Sequence, residues 1–156
     1  MSALDDYLHI GETITLGSHI FKAEEIKTFA RKFDPQRFHL DEKEAENSLF
    51  GRLCASGWHT TATWMKYNLL YNKETADRPW RGGGPAPEFG PSPGFKNLRW
   101  LKPVYAEETI TFKRQALAHR ALASRPGWRV LTTLCEAFDS TGDKVLEFES
   151  AVLVKA

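Results

Sequence analysis

Residues 56–71, read as a helix, leave almost no polar side. Trp58, Ala62, Met65 and Leu69 fall on one face, and Trp64, Thr61 and Leu70 make much of the remainder apolar. A helix that is greasy on most sides is a buried helix, so the rest of the chain must be able to enclose it. Ser56 is a natural N-cap for it, and Gly57 sits in its first turn. The enclosing material lies downstream, where Phe95–Pro103, Glu107–Ala118, Trp128–Phe138 and Lys144–Val154 are four consecutive strand candidates. Leu146, Phe148, Val152 and Val154 share one strand face, with Ser150 between them. Ile110, Phe112, Ala116 and Ala118 share another, interrupted by Arg114. Arg125-Pro126-Gly127 and Ser140-Thr141-Gly142-Asp143 are natural turns between strands.

Upstream of the long helix the pattern is mixed. Residues 12–21 are rich in β-branched residues and read as a strand or hairpin. Ile26, Phe29, Ala30 and Phe33 then recur at helical spacing, and Asp34-Pro35 ends that helix, because a residue before proline is steered out of the α region. A polar loop runs to Leu40. Asp41, with Glu44 three residues on, starts a short helix over residues 42–48. Residues 72–94 are crowded with proline and glycine, which argues against regular structure. Trp80 and Phe89 give that stretch something to pack with, so it reads as a flap. The order predicts an α+β fold over residues 1–156, an antiparallel β-sheet wrapped around a central helix.

The formal net charge is +1, with no basic stripe, which speaks against a nucleic-acid partner. The N-terminal residues lack the basic flank and apolar run of a signal peptide, and no stretch approaches the roughly 20 apolar residues of a membrane span. Cys54 and Cys135 lie far apart and make no metal-type spacing; they read as reduced thiols of a cytoplasmic protein. His39 with His59 or His19 likewise shows no tight ligand spacing, and no metal is expected.

The densest polar cluster is Phe33-Asp34-Pro35-Gln36-Arg37-Phe38-His39-Leu40-Asp41. A carboxylate and an imidazole five residues apart on a non-helical segment can converge on one small molecule such as water, supplying a base and a proton donor. Phe33, Phe38 and Leu40 would shield them. The plainer reading makes Asp34 a turn residue and His39 a satisfied histidine. Gly57, in the first turn of a buried helix, presents a backbone N–H suited to a carbonyl oxygen gaining negative charge. The plainer reading is that it permits close packing.

The stretch from Asp34 to Thr60, DPQRFHLDEKEAENSLFGRLCASGWHT, resembles the signature of MaoC-like acyl dehydratases, relatives of the (R)-specific enoyl-CoA hydratases. The stretch from Gly94 to Thr109 is similar to that family's Phe/Leu-x-Pro-Val-x-x-x-Asp-Thr strand pair. The resemblance implies a hotdog fold. It also implies a lyase acting on a thioester of CoA or of a carrier protein, without a metal or other cofactor. Asp34 and His39 match the catalytic pair that holds water, and Gly57 matches the glycine whose N–H polarises the thioester carbonyl. Two departures stand out. Gln36 and Arg37 replace the usual Asn-Pro, and Met65 stands where some hydratases place a hydroxyl that braces the aspartate, with Thr61 and Thr63 as nearby substitutes. Ser56, Trp58, Trp80 and Arg99 are further substrate-binding candidates. The resemblance also implies a homodimer or dimer of dimers. Two other readings stay open, a hotdog thioesterase and a non-catalytic acyl-thioester binder.

Overall fold

The computed structural model describes residues 2–156. The helices are α1 (Ala3–Leu8), α2 (Ala23–Phe33), α3 (Arg37–Leu40), α4 (Glu42–Glu46) and α5 (Gly57–Glu74). The strands are β1 (Thr13–Ile20), β2 (Glu88–Phe89), β3 (Gly94–Trp100), β4 (Thr109–Ala121), β5 (Trp128–Phe138) and β6 (Lys144–Lys155). Every pairing is antiparallel, in the order β1-β4-β5-β6, and the outer edge of β6 is shared by β3 and β2. This is the expected α+β hotdog architecture, a curled antiparallel sheet with α5 in its concave side.

Packing of α5 onto the sheet rests on its aromatic residues. Trp64 is almost wholly buried, packs edge-on against Phe148 at 5.1 Å, and donates its indole N–H to the Lys113 carbonyl at 3.0 Å. Burying both the ring and its one donor in this way is how a tryptophan is accommodated in a core. Tyr67 stacks on Phe112, one turn further on. Room for the Tyr67 ring comes from Gly17 in β1, where a bulge shifts the register and a Cβ would run into the ring. The buried side of α5 is therefore Thr60, Thr63 and Trp64, with Tyr67 and Tyr71 half-buried beside it.

Several expectations need correction, among them the irregular reading of residues 72–94, since α5 runs to Glu74 and β2 pairs with β6 at Glu88–Phe89. The helix is apolar on two faces, but the chain encloses only one: Trp58, Met65 and Leu69 are 50%, 44% and 59% exposed. Ala118 does not share the inner face of β4, because a bulge between Ala116 and Ala118 turns it outward. The loop from Pro35 to Leu40 contains the one-turn helix α3. Finally, an unforeseen α1 opens the described chain, fixed by a capping box in which Ser2 and Asp5 each receive the other's backbone N–H.

Candidate active site

Asp34 occupies the C-cap of α2, where its backbone leaves the helical region (φ −154°, ψ 68°) before Pro35, so its side chain leaves the helix axis. The single turn of α3 then brings His39 back beside it. The Asp34 Oδ2 and His39 Nε2 atoms lie 3.5 Å apart, with side chains only 16% and 6% exposed. His39 Nδ1 lies 2.6 Å from the Cys54 carbonyl oxygen. A carbonyl can only accept, so Nδ1 carries the proton. When the ring is neutral, Nε2 faces Asp34 with a lone pair. A carboxylate and a lone pair at this separation are two acceptors converging on one small donor.

The carboxylate is held from both sides. Ser56 Oγ donates to Oδ2 at 2.6 Å, and Gln36 Nε2 donates to Oδ1 at 2.7 Å. Burial alone would raise the Asp34 pKa, but the Ser56 and Gln36 hydrogen bonds and nearby His39 outweigh it and hold the carboxyl below its ordinary value. Ser56 holds the N-cap backbone position of α5, yet its hydroxyl makes no cap bond; Asp34 takes it.

Both residues face a cavity of about 500 Å³ that runs beneath the first turn of α5. Gly57 lines it, and as the first helical residue it has no intrahelical acceptor for its N–H. The Trp100 indole closes over Gly57 so tightly that any Cβ there would collide with the ring. Trp100 is itself fixed by an edge-on contact with Trp58 and by a 3.1 Å hydrogen bond from its Nε1 to Thr61 Oγ1. The rest of the wall is mostly apolar, with Phe33, Phe38 and Val104 prominent, and Lys102 stands at the rim. Lys102 is already paired with Asp139 at 2.6 Å and Asp143 at 2.9 Å.

The structure thus brings Asp34, His39, Ser56, Gly57 and Trp58 together and leaves two other candidates elsewhere. Trp80 packs edge-on against Tyr7 and does not line this cavity. Arg99 sits exposed on β3, opposite Glu147 of β6, in a separate shallow cleft. A loop tryptophan follows the nearest apolar partner, and strand alternation sends the Arg99 side chain away from its neighbour Trp100. Thr61 and Thr63 do not brace Asp34: their hydroxyls donate to the Gly57 and His59 carbonyls of their own helix. Ser56 supplies the brace instead. Gln36, a departure from the usual loop, is the second brace, while Arg37 turns outward to the Glu44 carbonyl. Trp100, which the sequence did not single out, is the cavity's roof. Cys54 is a buried thiol whose pKa burial pushes up to about 11, the state of a packing residue. His59 is also buried in the core, stacked flat on Phe29. Among the described residues no cluster of His, Cys, Asp and Glu is built to hold a metal ion.

A long helix in the curl of an antiparallel sheet defines a hotdog protein, here with a carboxylate and an imidazole side by side near the first turn of that helix. The chain belongs to the MaoC-like dehydratase family. It is 30% identical to the MaoC-like dehydratase of Rhodospirillum rubrum, whose crystal structure matches with a TM-score of 0.75 over 94% of this chain and 92% of that one. The (R)-hydratase of A. caviae involved in PHA biosynthesis is 23% identical and shares the fold, with a TM-score of 0.58 over 92% of this chain and 94% of that one. Among curated proteins, the uncharacterized protein YdeM of Bacillus subtilis is 28% identical over 152 residues, 97% of this chain and 98% of its own. No family model matches the sequence.

Proposed function

We propose that the protein is an acyl-thioester (de)hydratase that reversibly adds water to a 2-enoyl thioester, with a CoA thioester as the substrate. The observation that carries this reading is the 3.5 Å approach of Asp34 to His39 in a cavity also lined by the first residue of α5. Water between the two groups donates one O–H to Oδ2 and the other to Nε2. As its oxygen bonds to the β-carbon, the π electrons shift through the α-carbon to the thioester oxygen, where the Gly57 N–H receives the charge. One water proton passes to the acid–base pair, and the pair returns a proton to the α-carbon. The net change is one water added, with no oxidant, metal or cofactor needed. Dehydration is the same path reversed.

A second copy of the chain fits the same reading. Trp58, Met65 and Leu69 on α5, with Phe95 and Trp100 on edge strand β3, leave a broad apolar band exposed. Edge strand and band together favour a homodimer. No described helix is long and apolar enough to cross a membrane, and the two cysteines are unpaired, which suits a cytoplasmic setting.

The test is a panel of short, medium and branched 2-enoyl-CoA thioesters, followed by loss of conjugated absorbance and, in parallel, by release of free thiol. Absorbance loss without thiol release is expected. Thiol release without hydration would make the protein a thioesterase. Tight binding with neither would make it a non-catalytic acyl-thioester binder.

A further inference from the structure

A second cavity, of about 240 Å³, lies between the far half of α5 and the inner face of the sheet. None of its lining residues belongs to the cavity around Asp34. Asn68, which lines it, lies about 16 Å along α5 from Gly57, at about 1.5 Å per residue. Trp64, Leu131 and Val152 make much of it apolar, yet Arg114 and Arg78 both line it.

Arg114 is the residue that interrupts the apolar face of β4, and strand alternation points it inward, in line with Phe112 and Ala116. Its Nη1 donates to the side-chain carbonyls of Asn68 and, at 2.8 Å, Asn72, and its guanidinium lies over the Tyr71 ring. These contacts fix the group without neutralising it. Among the described residues no carboxylate lies within salt-bridge distance of Arg114 or of Arg78, which donates to the Tyr7 carbonyl. Burial, and then Arg78, push the Arg114 pKa below its ordinary value, as expected of a cation held without an anion. Arg114 is half-buried, and its Nε and Nη2 make no hydrogen bond to protein among the described residues, so these donors stay available to a molecule in the cavity that the residue lines.

We propose that this cavity is a binding site for a small carboxylate carried on an apolar chain, with the Arg114 guanidinium as its anchor. Guanidinium geometry matches a carboxylate through paired N–H donors, and the apolar walls take the chain. The volume lies just below the roughly 300 Å³ at which pockets for drug-sized ligands begin, so the ligand is small. Thr133 and Ser150, adjacent on β5 and β6, add hydroxyls on the same sheet face. The site is independent of the acid–base chemistry proposed for Asp34 and His39.

The test is titration calorimetry of the full chain with hexanoate, with 1-hexanol, and with hexyl phosphate. Hexanoate should bind at least about tenfold more tightly than hexanol, the scale of one charge-assisted pair. R114M should erase that preference, and D34N should retain it. The comparison of acid with alcohol on the wild-type chain stands even if R114M fails to fold, and R78M, which should weaken the preference, serves as a second variant. Equal affinity for acid and alcohol, no hexanoate binding at millimolar concentration, or unaltered binding in R114M would overturn the proposal. So would loss of binding in D34N, which would place the ligand in the other cavity. Tighter binding of hexyl phosphate than of hexanoate would overturn the assignment to a carboxylate.

Discussion

The Ser56 hydroxyl donates to the Asp34 carboxylate at 2.6 Å instead of capping the helix that it opens. One hydrogen bond therefore ties the C-terminus of α2 to the N-terminus of α5. The two elements that carry the acid and the Gly57 N–H cannot drift apart without breaking it. Gln36 adds a second restraint from the following loop, at 2.7 Å.

Ser56→Ala removes the shorter of these bonds while leaving the fold's apolar contacts in place. A hydrogen bond to a charged group contributes roughly 1.5–3 kcal/mol, so turnover should fall roughly tenfold or more. The pH profile supplies the sign. Asp34 is held below its ordinary pKa partly by Ser56. Losing that donor raises the pKa, so the acid limb of kcat/KM moves to higher pH. A profile that keeps its wild-type acid limb would show that Ser56 does not tune the carboxylate.

Gly57→Ala tests the helix entry. Alanine is intrinsically no worse than glycine in a helical turn, so the cost comes from its Cβ meeting the Trp100 indole. Displacing the ring or the N–H should lower kcat/KM at least about tenfold, on the scale of a damaged oxyanion donor. Adding Trp100→Ala to the same chain should recover part of that loss. Unchanged kinetics in Gly57→Ala would remove the Gly57 N–H and its roof from the mechanism.

The thiols give a third prediction. Burial raises the Cys54 pKa to about 11 and that of Cys135 to about 12. Thiolate is the reactive form, so iodoacetamide at neutral pH should label neither residue in the folded protein and should leave activity intact. Unfolding in urea should expose both. Rapid labelling of native Cys54 with loss of activity would contradict the burial and point to a reactive thiol at the site.

How much of this was legible in the sequence follows from physical scale. The strand run and the helix read from Ser56 rest on periodicity and turn residues, which are local signals, whereas spacing alone left the plainer reading of Asp34 and His39 open and the resemblance to MaoC-like dehydratases supplied the pairing. Helix α3 was missed because one turn carries too little pattern to separate it from a loop. Ala118 was misplaced because a bulge reverses alternation without leaving a residue signature. Ser56 was read as a cap because its residue type serves both roles, and only the tertiary approach of Asp34 decides between them. The apolar girth of α5 was read as complete burial, whereas Met65 and Leu69 lie on a face that this chain leaves open. Trp80 and Arg99 were candidates by residue type alone, and nothing local says where a loop side chain will dock.

The most direct test of the central claim is the hydration rate of a 2-enoyl-CoA substrate by Asp34→Asn and His39→Ala, measured beside their thermal unfolding. Both variants should remain folded and turn over at least about 100-fold more slowly than the wild type, the scale of losing a general acid–base group. Wild-type rates in both would show that the pair 3.5 Å apart plays no part in the chemistry.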